Sequence, residues 1–175
     1  SILEWKSKVE TYLPGQQYAC HPPHATIIYT DIPYCRSAIQ ALRDKAKQLI
    51  PFHIHIRDTG VFFDDIVTNG HSLYFTIDRD APIMKFQRTI ADVVAPYVEK
   101  NRVPDYVMAN PEWAKSFEDY GFPFVGSHWI PHFSVASLAT KKSHELITTF
   151  TQISQQYNVR VDKFSAWNVD ADIHE

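Results

Sequence analysis

Glycine is scarce in this chain, with five residues in 175, and cysteine scarcer still, with two. Eleven prolines spread without a period join the few glycines in excluding collagen-like and low-complexity sequence. Cys20 and Cys35 form neither a disulfide framework nor a zinc-ligand spacing, and the expectation is two buried thiols in a reducing cytoplasm. No apolar run approaches the roughly 20 residues that cross a bilayer, so no membrane span is expected. The stretch Ser1-Ile-Leu-Glu-Trp-Lys6 lacks the basic start and uncharged apolar core of a secretory leader, which places the expected location in the cytoplasm. Excess basic charge is missing too: 17 Lys and Arg against 20 Asp and Glu give a net charge of −3. Phosphate neutralisation over a duplex needs a basic surface, so duplex DNA is excluded as a partner while a local basic pocket is not.

What is present is core-forming material. The chain is 45% hydrophobic and 14% aromatic, enough for one ordinary domain, expected as a monomer. Ile2, Trp5, Val9 and Leu13 recur at helical intervals before Pro14-Gly15, and Ile39, Leu42, Ala46 and Leu49 do so before Pro51. Between them His24 to Thr30 is rich in β-branched residues and reads as a strand bounded by Asp31 and Pro33. His53–Thr59, Val61–Phe63 and Ser72–Ile77 read as strands of an antiparallel arrangement, with Asn69-Gly70 as the turn. Asp80 with Pro82 opens a helix whose buried side carries Ile83, Phe86, Ile90, Val93, Val94 and Tyr97. Residues 101–130 form a long connection or lid containing a short helix from Asn110-Pro111 to Tyr120, ended by Gly121. Ile130–Leu138 is a second β-patterned run, Ser143 caps a further helix, and Val159–Trp167 closes with strict alternation. The order predicts an α+β fold of two similar lobes, with antiparallel sheets facing across a central cleft and helices outside. The first half spans about 1–100 and the second 131–175.

One chemical unit occurs twice. Pro23-His24-Ala25-Thr26-Ile27 and Pro131-His132-Phe133-Ser134-Val135 both read proline, histidine, any residue, hydroxyl, β-branched apolar. On an extended strand residues i and i+2 share a face, about 6.5–7 Å apart, so each histidine projects beside its hydroxyl. Two imidazoles with ordinary pKa values near 6.5 can divide base and acid roles at neutral pH, and Thr26 and Ser134 can donate to non-bridging phosphate oxygens. That chemistry suits attack on a phosphodiester, a cyclic one in particular, and requires no metal or other cofactor. A single His-x-Ser or His-x-Thr is a chance event in a chain with nine histidines. The matched pair carries the signal.

These residues resemble the 2H phosphoesterase superfamily, defined by two His-x-Thr/Ser motifs and including the bacterial RNA 2′,3′-cyclic phosphodiesterases once called 2′-5′ RNA ligases. Thr59-Gly60-Val61-Phe62-Phe63 is similar to that family's glycine-phenylalanine strand, and Tyr120-Gly121 through His132 to its approach to the second motif. The resemblance implies a bilobal fold with a V-shaped cleft, no metal, and substrates with cyclic phosphates or 2′-5′ linkages on a nucleotide, an oligonucleotide or an RNA end. It carries the catalytic role to His24, Thr26, His132 and Ser134, with Ser134 standing where threonine is commoner, and leaves open which histidine is base and which acid. Alternatives are a hydrolase of 2′-5′-linked or cyclic oligonucleotides, or a non-catalytic binding module for a nucleotide or RNA end.

Other residues compete for attention. Tyr34, Phe63 and Trp129 could stack a base, although core or wall positions are the commoner fate of such rings; Phe133 is a fourth aromatic near the motifs, but it alternates away from His132 and is expected to face its own lobe's helices. Arg57 and Lys85 could touch phosphate but read as solvated charges. His53 with His55 and His21 with His24 lack the further ligands that zinc needs, and Pro131 spoils a helical reading of His128 and His132.

Overall fold

A computed structural model describes residues 1–170 together with 173 and 174. It is a mixture of helices and antiparallel sheet. Helices α1 (Ile2–Tyr12) and α2 (Cys35–Ala46) come first, then strands β1 (Phe52–Phe62) and β2 (His71–Ile77). Helices α3 (Ala81–Val94), α4 (Asp105–Met108) and α5 (Pro111–Tyr120) follow, then β3 (His132–Leu138), α6 (Glu145–Thr151) and β4 (Tyr157–Val161). The short strands β5 (Val169–Asp170) and β6 (Ile173–His174) pair with each other, and the remaining strands form one sheet in the order β3-β2-β1-β4. Among the described residues no helix is long and apolar enough to cross a membrane.

The chain folds into two compact units, each built from three stretches of sequence. Unit 1 comprises residues 1–26, 55–78 and 131–159, and unit 2 comprises 27–54, 79–130 and 160–175. Both histidine motifs, His24 to Thr26 and His132 to Ser134, belong to unit 1 although more than half the chain separates them.

In unit 1 the antiparallel β1–β2 and β2–β3 pairings make a sheet whose two faces are sharply different. Leu73, Phe75 and Ile77 of β2 are fully buried on one face, where Phe75 meets Phe150 of α6 edge-on at 5.2 Å and Trp5 of α1 meets the same ring at 5.0 Å. Thr59 of β1 donates its hydroxyl to the Phe150 carbonyl on that side. Ser1 caps α1 in a reciprocal capping box with Glu4, and the buried stripe of α1 includes Val9 and, unexpectedly, Lys6.

In unit 2, Asp80 caps α3 by accepting from the Ile83 backbone amide, and Asn110 caps α5 by accepting from Glu112 and Trp113. Gly121 ends α5 at φ +62°, a left-handed conformation that a residue with a Cβ adopts only under strain. Gln87 of α3 is fully buried, its amide nitrogen donating to the carbonyls of Ile27 and Phe124 and its oxygen accepting from the Gly126 amide. Every hydrogen-bonding group of that side chain is therefore directed at a neighbouring backbone, as a buried amide requires.

Several sequence expectations are corrected. Residues 24–30 are not part of any strand ladder, although their composition favours one: Pro22 and Pro23 have no N–H to begin a ladder, and β-propensity alone supplies no partner edge. The helix expected after Ser143 is capped instead by His144, whose ring nitrogen accepts from the Leu146 amide. The closing strand ends at Val161 rather than Trp167. Both cysteines are free and exposed rather than buried. The runs 53–59 and 61–63 are one strand, β1, that continues through Gly60 to Phe62.

Candidate active site

The second motif opens β3. Pro131 precedes it, buried, with its carbonyl accepting from the Ile77 amide at 3.0 Å, so the strand is anchored at the residue before His132. The register pairs His132 with Thr76, Phe133 with Phe75 and Ser134 with Tyr74, but then Ala136 with Leu73 and Ser137 with Ser72. Two residues of β3 thus pass one step of β2, and Val135 is the extra residue of a β-bulge. The bulge has a consequence for side-chain direction. Without it His132, Ser134, Ala136 and Leu138 would all share one face; with it His132 and Ser134 point to one side of the sheet while Ala136 and Leu138 point with Leu73 and Phe75 into the core.

On the face opposite α1 and α6, the residues around His132 are aromatic. Phe62 of β1 and Tyr74 of β2 stack at 4.2 Å, and the His132 ring meets Phe62 edge-on at 5.3 Å and Tyr74 at 5.2 Å. Two rings thus fix the plane of the imidazole. Tyr74 in turn lies over Gly60, its cross-strand partner, whose missing side chain leaves the space the phenol ring occupies. Burial raises the Tyr74 phenol above its ordinary range, so it stays protonated beside the histidine at any physiological pH.

In the first motif His24 is half-buried and Thr26 exposed. The Nδ1 atom of His24 lies 2.8 Å from the Pro22 carbonyl oxygen. A carbonyl only accepts, so Nδ1 carries the hydrogen in that bond, and the neutral ring then bears its lone pair on Nε2. The local turn made by the two prolines therefore selects a tautomer.

The three aromatics expected to stack a base are placed very differently. Phe63 points away from the His132 face and packs against His71 at 5.5 Å, with Lys142 above it; its neighbour Phe62 takes the position beside His132, the one-residue difference that strand alternation makes decisive. Tyr34 is 84% exposed at the N-terminal end of α2, and Trp129 is only 3% exposed, both in unit 2. Arg57 pairs with Asp78 at 2.7 Å. His128 pairs with Glu112 at 3.1 Å. Among the described residues no three His, Cys, Asp or Glu side chains gather closely enough to hold a metal ion. Sequence reading missed Tyr74, whose alternation with Leu73 and Phe75 signals an opposite face but not what lies across it.

A sheet that presents histidine and hydroxyl on one face, in a unit that also holds a second His-x-Thr element, belongs with the two-histidine phosphoesterases. A family model of the 2′-5′ RNA ligase superfamily matches residues 2–173, and the chain belongs to that family. No curated protein matches it. The superfamily is enzymatic and its members act on phosphodiester bonds of RNA and oligonucleotides, by hydrolysis or by ligation.

Proposed function

We propose that this protein hydrolyses a cyclic phosphodiester, a nucleoside 2′,3′-cyclic phosphate or the cyclic phosphate of an RNA end, by two-histidine acid–base catalysis without a metal. One imidazole of the pair His24 and His132 removes a proton from water as its oxygen attacks phosphorus. The other donates a proton to the ribose oxygen as the P–O bond to it breaks. The two rings end with exchanged protonation, and solvent restores them. Thr26 and Ser134 donate to the non-bridging oxygens, where negative charge accumulates in the pentacoordinate transition state. The observation that carries this reading is the bulge-set display of His132 and Ser134 on one face of β3, with the imidazole plane fixed by Phe62 and Tyr74. Support comes from the chemically matching first motif in the same unit and from the family to which the chain belongs.

The test is incubation with the four nucleoside 2′,3′-cyclic phosphates in excess EDTA, following which monophosphate forms. Turnover to a single regioisomer supports the reading. Tight binding with no turnover favours a nucleotide or RNA-end binding module. The family's description favours a second reading, in which the bond handled is a 2′-5′ linkage in an oligonucleotide. Offering 2′-5′-linked dinucleotides, and RNA ends bearing 2′,3′-cyclic phosphate with 5′-hydroxyl acceptors, separates hydrolysis from joining.

A further inference from the structure

Lys6 is the least expected side chain in unit 1. It lies on the buried stripe of α1, only 5% exposed, and its ammonium is hydrogen-bonded to two neutral carbonyls, Tyr18 at 2.5 Å and Val135 at 2.9 Å. Removing an ammonium from water costs several kcal/mol even after local relaxation, and carbonyl dipoles offset this less than a carboxylate would. Burial accordingly lowers its pKa from 10.5 to about 8, with the nearby Cys20 acting weakly in the opposite direction. A leucine or methionine would fill the same place on α1 more cheaply.

Both carbonyls belong to places where the backbone departs from regular structure. Val135 is the bulged residue of β3, the one that decides that Ser134 and His132 face away from the core. Tyr18 adopts φ +66°, a left-handed conformation costly for a bulky aromatic residue, and sits at the head of the turn closed by the His21 amide on the Tyr18 carbonyl. That turn leads directly through Pro22-Pro23 to His24. The same stretch is attached to β3 one step further along, where the Ser137 amide donates to the Gln17 carbonyl at 2.9 Å and the Ala139 amide to the Gln16 side chain at 2.8 Å.

We propose that Lys6 is a positioning residue for the two histidine motifs: by holding the Tyr18 and Val135 carbonyls with one nitrogen, it fixes the lead-in to His24 against the bulge that aims Ser134 and His132. The proposal builds on the functional reading above. Lys6 touches neither motif side chain and acts through backbone alone. An amine retains two N–H donors after losing its extra proton, so the tie persists in either protonation state.

The test compares the wild type with Lys6→Met, an unbranched apolar side chain without the donors, and Lys6→Gln, which matches methionine in length and keeps an N–H donor. The expected result is a folded Lys6→Met protein whose kcat on a 2′,3′-cyclic nucleotide falls about 10- to 100-fold with KM within about twofold, because displaced catalytic groups lose rate rather than binding. Lys6→Gln should recover part of the loss. The imidazole NMR resonances of His24 and His132 should both move in Lys6→Met. Unchanged kcat together with unmoved resonances overturns the proposal. If the wild type turns over no cyclic phosphate, the functional reading fails, and the resonances of the two histidines still decide the positioning claim. If both variants fail to fold, the wild type decides it: contacts from the Lys6 Nζ protons to Val135 and Tyr18 must be observed by NMR, and their absence refutes it.

Discussion

The phenol ring of Tyr74 occupies the space where a side chain on Gly60 would stand: a Cβ added at Gly60 would lie 2.3 Å from Tyr74 Cζ and 2.4 Å from its hydroxyl oxygen. The glycine is needed for close approach, not for an unusual backbone angle. Tyr74 cannot simply swing aside, because Phe62 stacks on one side of it and His132 abuts it on another. Gly60→Ala should therefore displace Tyr74 and, through it, the imidazole of His132. The expected cost is about 1–3 kcal/mol in stability, as for other overpacking changes. Turnover should fall well beyond what the stability loss explains, while Val61→Ala, on the opposite face of the same strand, should affect stability but not turnover. Denaturant melts and steady-state kinetics on the two variants check this.

The paired roles assigned to the histidines make a sharper demand. His24→Ala and His132→Ala should each lower the chemical rate by about 10²–10⁴ while leaving the circular dichroism spectrum and melting temperature near those of the wild type, since both side chains are only half-buried. The wild-type rate should follow a bell in pH, with one limb lost in each single variant where residual activity permits measurement. A wild-type rate in either variant contradicts the assignment.

How far this was legible in the sequence depends on what decides each feature. Caps and breakers are local chemistry, so the helix opened by Asp80 and the helix between Asn110 and Gly121 were readable residue by residue. Strand membership is not local. His24 to Thr30 has the composition of a strand and lies outside the ladders, because pairing depends on an available edge that composition does not encode. The same limit explains Phe62 and Phe63. Either could have flanked the second motif, and only the register of β1 on β2, with Gly60 opposite Tyr74, assigns Phe62 to the side of His132. The bulge at Val135 was invisible for a related reason: strict alternation through His132, Ser134 and Ala136 reads as one face until the cross-strand partners are known. Lysine is almost never fully buried, and the spacing of Ile2, Trp5, Val9 and Leu13 does not single out Lys6.

Gln87 offers a test of unit 2. Replacing it with leucine conserves bulk but leaves the Ile27 and Phe124 carbonyls and the Gly126 amide without their side-chain partner, and stability should fall by at least about 1–3 kcal/mol. Gln87→Glu is more informative. The carboxylate is nearly the same shape but can no longer donate to the two carbonyls when ionised, so the loss should exceed that of leucine at pH 7 and shrink towards pH 4, where a protonated acid regains one donor. Urea melts of the three proteins at the two pH values measure it. Equal losses at both pH values would mean the amide is not clamped as described.

Lys6 also ties stability to pH in a direction that can be worked out. Its folded pKa of about 8 lies below the unfolded 10.5, so between those values the unfolded chain holds a proton that the folded chain has released. Stability rises with pH wherever the unfolded state binds more protons. The penalty for burying the ammonium is thus fully present below about pH 8 and is relieved as pH approaches 10.5. At about 1.4 kcal/mol per unit, and with nearly two units of the shift lying between pH 7 and pH 10, the relief read over that range should be about 2–3 kcal/mol. Lys6→Met has no such group, and the difference in unfolding free energy between wild type and variant cancels the tyrosines and other lysines common to both. That difference should move in favour of the wild type as pH is raised. A difference that is flat with pH would mean that Lys6 stays charged and solvated, and with it would go the claim that its nitrogen is enclosed between α1 and the bulge of β3.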